Sequence, residues 1–159
     1  MRLMLGGLIV SLLFQILPVR AQVSSDRVMA LVEALRLAAP KRPTEQDGLY
    51  SDWKIKPSLI PRWSFLCIDE QLTPEEFEAD HIKARIILIC VMEDVLKQEY
   101  PASDNNEELA IRRAAAWWVA GDPELYNIAP ISSYSERVFN YYQDLRANPS
   151  DFVPYQVAK

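Results

Sequence analysis

Apolar side chains recur at helical spacing along most of this chain, and no stretch alternates convincingly with period two. Val28, Leu31, Val32 and Leu35 share one stripe, which predicts a helix over residues 24–39. Ser24, Ser25 or Asp26 can cap it, Pro40 stops it, and Glu33 and Arg36 lie off the stripe. Thr73-Pro74-Glu75-Glu76 has the form of a capping box with proline at the first helical position, so a short helix should run to about residue 79. Asp80 can cap a longer helix reaching about residue 99, with Pro101 ending it. Its run Ile86–Met92 is apolar on every side, the pattern of a central helix surrounded by protein. Asn105 or Asn106 can cap a helix over about 106–120, where Ala114, Ala115 and Ala116 permit close approach and Gly121 suits a left-handed end. A last helix, about 133–147, has a Ser133-x-x-Glu136 box and the stripe Tyr134, Val138, Tyr142 and Leu145. The expected fold is all-α or nearly so, a compact domain of about five helices with one long aromatic loop.

That loop is Asp47–Trp63. It holds two of the four tryptophans and two prolines, and neither period runs through it. Such a segment is either a packed strap over a core or the wall of a binding groove, and the groove wall is the expectation taken here.

The ends of the chain read differently. Met1-Arg2, the apolar run Leu3–Leu17 and the small-residue site around Val19 and Ala21 have the pattern of a signal peptide over residues 1–21, with an uncleaved N-terminal anchor as the rival reading. One domain over 22–147 and a flexible tail over 148–159 follow. The protein is then expected to be secreted or periplasmic, with no stable membrane span after cleavage.

Charge narrows the partners. The chain has 17 basic and 22 acidic residues, a net charge of −5, and losing Arg2 and Arg20 with the leader makes it more acidic. It has no basic run, which argues against nucleic acid. Its bulk charge gives no help towards an anionic polymer or membrane. Cys67 and Cys90 are the only cysteines, and an even pair in an exported chain points to a disulfide tying the central loop to the longest helix.

Candidate chemistry is sparse. His81 is the only histidine and stands beside Asp80 at a helix start, where a solvated or capping role is expected. No cluster has zinc spacing, Asp104-Asn105-Asn106-Glu107 reads as a helix cap, and neither metal nor cofactor is expected. Carboxylates and aromatics remain, a combination that fits carbohydrate chemistry: a carboxylic acid can protonate a glycosidic oxygen, and sugar rings stack on indole faces. Tyr50, Trp53, Trp63, Trp117 and Trp118 are available. Trp117 and Trp118 are about 100° apart on a helix, so both cannot point at the same core and one is free to line a groove.

Gly48-Leu49-Tyr50, Lys56-Pro57-x-x-Ile60-Pro61-x-Trp63 and Leu72-Thr73-Pro74-Glu75-Glu76-Phe77 follow in order, then Ala114–Gly121 and Tyr134-Ser135-Glu136-Arg137-Val138. This order resembles the lysozyme-like lytic transglycosylase superfamily. In that family a catalytic Glu closes the first helix, and Glu33 stands 15 positions before Gly48. The resemblance implies that Glu33 protonates the oxygen between N-acetylmuramic acid and N-acetylglucosamine, then acts as base while the muramic C6 hydroxyl attacks. Tyr50, Ser51 and Trp53, with Trp118 and Tyr134, would form the groove wall. Peptidoglycan or a related glycan would be the partner. The family pattern has Ser where this chain has Ala34, Gln where it has Ser51, and a Gly-rich loop where it has Ala38–Pro43. These departures touch the site more than the scaffold. Asp47, Asp52 and Glu93 are other carboxylates that could serve. A non-catalytic glycan-binding module on the same fold and a structural envelope protein are the rival readings.

Overall fold

A computed structural model describes residues 23–40 and 48–148. The expected signal peptide over residues 1–21, Asp47 and the expected tail beyond Asn148 lie outside the described residues. The fold is all-α: α1 Ser25–Ala38, α2 Ile60–Ile68, α3 Pro74–Ala79, α4 His81–Ala102, α5 Glu107–Ala120 and α6 Ile131–Ala147, with a 3-10 turn at Pro123–Asn127 before α6. The only β-type pairing among the described residues is an isolated antiparallel bridge between Tyr50 and Ile55.

The starts and stops follow local chemistry. Thr73 and Glu76 make a reciprocal capping box at α3, Asp80 accepts from the amides of Ile82 and Lys83 at α4, and Asn106 accepts from that of Leu109 at α5. Each satisfies amides that a helix leaves orphaned. Gly121 ends α5 at φ +76°, a conformation glycine reaches without a Cβ penalty.

α1 packs against α4 and α6, α5 packs against α4 and α6, and α2 and α3 lie on α4. The stripe Val28, Leu31, Val32 and Leu35 meets Ile87, Leu88, Met92, Leu96, Ile111 and Val138 in one core. Ala114, Ala115 and Ala116 are all fully buried, where small side chains let helices approach closely. Cys67 of α2 is bonded to Cys90 of α4.

Four sequence expectations are corrected. The stretch expected to remain loop to Trp63 turns helical at Ile60. α2 has nine residues and buries fully only Ile60 and Ser64, too short a stripe to register as a period, and Pro61 fits its first turn. Pro101 does not stop α4, which runs one residue further, to Ala102, with the hydrogen bond that the proline cannot donate falling in its last turn. α6 starts at Ile131 and not at a Ser133 cap, so Ser133 and Glu136 lie inside it, exposed. Finally, α4 is not enclosed on every side: Ile87, Leu88 and Met92 are buried, but Ile86 is 43% exposed.

Candidate functional site

The site begins at the loop after Gly48. Tyr50 and Ile55 exchange two main-chain hydrogen bonds of 2.9 Å, closing a tight loop over Ser51–Lys54. The closure puts Ser51 at φ +63° and Lys54 at φ +57°, left-handed conformations that cost an L-residue about 1 kcal/mol or more each. Ser51 is buried, and its hydroxyl lies 3.4 Å from the Trp53 amide as acceptor. Trp53 is turned inward, 2% exposed, with its indole N–H donating to the Val32 carbonyl at 2.7 Å. Anchored in this way, the loop presents Trp53, Lys54, Ile55 and Lys56 to an open cavity of about 730 Å³.

The rest of the wall comes from three helices. α2 supplies Arg62, Trp63 and the exposed edge of Leu66; the end of α5 supplies Trp117 and Trp118; α6 supplies Tyr134. The Trp63 ring lies 6.4 Å from that of Trp117 and 5.9 Å from that of Trp118, distances at which aromatic rings attract. Both adjacent tryptophans are half-buried and line the cavity. Their shared contact with Trp63 turns the end of α5 towards α2. Burial pushes the Tyr134 phenol well above the usual tyrosine range, and Arg137 sits 5.6 Å from its ring centre. No carboxylate is among the described residues lining the cavity, but Lys54, Lys56 and Arg62 are.

Glu33 is placed elsewhere. Its side chain is 13% exposed, and both oxygens are engaged: Arg36 reaches one at 2.6 Å and Arg85 the other at 3.1 Å. The Arg36 pKa is raised, first by its hydrogen bond to Glu33, with the charge of Asp52 adding to it. Arg85 also lies 5.8 Å from the Trp53 ring, so it bridges the helix carboxylate and the loop indole. Glu33 does not line the aromatic cavity. Both oxygens of this carboxylate are occupied by permanent cations, so neither is free towards a ligand.

The other expected residues divide. Trp53, Trp118 and Tyr134 line the cavity; Tyr50 and Ser51 do not. The Tyr50 hydroxyl donates to Glu75 at 3.2 Å, a contact that raises its pKa. Ala34 is fully buried in the core. Asp52 is exposed, Glu93 pairs with Lys97 at 2.9 Å, and His81 is exposed at the start of α4. Among the described residues no group of three or more His, Cys, Asp or Glu side chains could hold a metal ion. No helix among them is long and apolar enough to cross a membrane.

Lys56 and Arg62 were not among the sequence candidates. A signal for them existed: Trp53–Ile68 contains three basic residues and no acidic one, in a chain where acids outnumber bases. The chemistry this wall can perform is ring stacking, cation contact and hydrogen bonding. Comparison of the chain with protein-family models, curated proteins and solved structures finds no match.

Proposed function

We propose that this chain is a non-cleaving saccharide-binding domain of the cell envelope, with peptidoglycan or a related glycan as its partner. The observation that carries this reading is the meeting of Trp63, Trp117 and Trp118 on one open cavity that has cations and no carboxylate among its described lining residues. Indole faces stack on the apolar faces of sugar rings, and the volume of about 730 Å³ is in the usual range for a bound small molecule. Lys54, a non-glycine residue of the wall held left-handed, adds support, because such strain gathers at binding sites. Export through the leader would bring the domain to such a partner, and the Cys67–Cys90 bridge fits an oxidising compartment.

The cleaving reading rests on the order of sequence landmarks and on Glu33 being largely withdrawn from solvent. It requires Glu33 to leave Arg36 and Arg85 and to reach a cavity that it does not line.

One set of measurements tests both. Purified chain is incubated with cell-wall sacculi, and binding and release of soluble fragments are followed. Binding without digestion, lost in Trp118→Ala and kept in Glu33→Gln, is the expected result. Digestion lost in Glu33→Gln would establish the enzyme instead, and absence of binding to any glycan would overturn both.

A further inference from the structure

The cavity carries a charge preference that the composition hides. Every lysine and arginine on α1, α4 and α5 is paired with a carboxylate, from Arg27 with Glu107 at 3.1 Å to Arg113 with Glu99 at 2.7 Å. Lys56 and Arg62 have no carboxylate partner among the described residues, although acids outnumber bases 22 to 17 in the chain. Both are exposed and both line the cavity. A third cation without such a partner, Arg137, lies over the ring of Tyr134, another cavity residue.

In a chain this acidic, an unpaired cation would ordinarily find a carboxylate nearby. Two of them on the wall of the aromatic cavity, with no acid among the described residues of that wall, leave a local positive field inside a negative molecule. Fields in a concave site act on a ligand more strongly than the distant net charge does, because salt screens the latter within about 10 Å. The net acidity of the chain therefore does not bar an anionic ligand from this cavity.

We infer that the ligand is a saccharide bearing a carboxylate, its ring stacked on the tryptophans and its acid group held by Arg62 and Lys56. This rests on the saccharide-binding reading and makes it specific. Arg62 precedes Trp63 on the first turn of α2, so one short segment supplies both the stacking face and the cation. A guanidinium can take both oxygens of a carboxylate at once, and an ammonium adds a point charge. Two sources share this chemistry: the lactyl carboxylate of a muramic acid unit that carries no stem peptide, and the ring carboxylate of a uronic acid.

Calorimetry with three probes tests it: an N-acetylglucosamine oligomer, a disaccharide containing N-acetylmuramic acid, and a galacturonate oligomer. The expected result is that at least one acidic probe binds about tenfold tighter than the neutral one, with the preference abolished in the Lys56→Gln/Arg62→Gln double variant and reduced by raised salt. Which acidic probe binds identifies the source. Equal affinity for neutral and acidic probes, or a preference the double variant retains, overturns the inference and leaves the saccharide reading standing. No binding of any probe overturns both. Both side chains are exposed, so a far-ultraviolet spectrum matching the parent shows that the variant is folded, and the single variants provide the same readout.

Discussion

Trp53 donates its indole N–H to the main-chain oxygen of Val32 at 2.7 Å, joining the aromatic loop to the turn of α1 that carries Glu33. Arg85 completes the seam, 3.1 Å from Glu33 on one side and 5.8 Å from the Trp53 ring on the other. Packed side chains therefore occupy the place where a trough between the helix carboxylate and the loop had been expected. The opening lies along the cavity wall that Trp63 and the end of α5 share.

Trp53→Phe should keep the ring in the core but lose this hydrogen bond and part of the packing. The expected cost is about 2 kcal/mol, read as a lower urea midpoint with unchanged slope. A midpoint equal to the parent's would show that the Val32 contact does not hold the loop down.

Arg113 is a second tie. It is buried on α5 and bonds Glu99 of α4 at 2.7 Å and Glu124 of the 3-10 turn at 2.7 Å, contacts that push its pKa up. Glu99 is buried and Glu124 is exposed. Arg113→Met strands Glu99 as an uncompensated buried carboxylate, and a loss of about 3–5 kcal/mol is expected. Glu124→Gln should leave the urea midpoint almost where it was, because that pair is solvated. Equal effects from the two variants would contradict this assignment.

The contrast between strong local signals and long-range ones explains how much of this was legible in the sequence. Thr73, Asp80, Asn106 and Gly121 each fix a helix end within a few residues of themselves, so α3, α4 and α5 could be placed from neighbours alone. α2 could not, because its helical character is settled by burying Ile60 and Ser64 against other parts of the chain. The same holds for the cavity. Trp118 and Tyr134 were candidates as aromatics, but what makes the site is Trp63 reaching α5, a contact between distant segments. Glu33 illustrates the converse. Its place beside an apolar stripe was readable; Arg85, 52 residues away in sequence, decides its surroundings and was not.

The Cys67–Cys90 bridge spans 23 residues and encloses α3 and the loops around it. Closing a loop of that length restricts the unfolded chain by about 3 kcal/mol in the chain-entropy account. Cys67→Ser/Cys90→Ser should lower stability by that order, and adding dithiothreitol should lower the parent to the same urea midpoint while leaving the double variant unmoved. A parent insensitive to reductant, with both thiols open to alkylation before unfolding, would mean the bridge is absent in solution.

Three tyrosines, the buried Tyr100 and Tyr142 and the half-buried Tyr134, make a prediction about pH. Burial raises the pKa values of Tyr134, Tyr142 and Tyr100, and Tyr142 gains further from donating its hydroxyl to Glu107. In the unfolded chain these phenols lose their protons near pH 10, while in the folded chain they keep them to higher pH. Above about pH 10 the unfolded state therefore binds fewer protons than the native state, and stability falls as pH rises. Their contribution is complete below that pH. The exposed pairs Lys83–Glu70 and Lys97–Glu93 act with the same sign, so comparison with a tyrosine variant is needed to separate the two. Tyr134→Phe should show a shallower decline in urea midpoint across the alkaline range than the parent. Phenolate absorbance of the parent should rise in two steps, the exposed phenols first and the buried ones only as the chain unfolds. A single step near pH 10, with identical slopes for parent and variant, would place Tyr134 in solvent and remove it from the cavity wall.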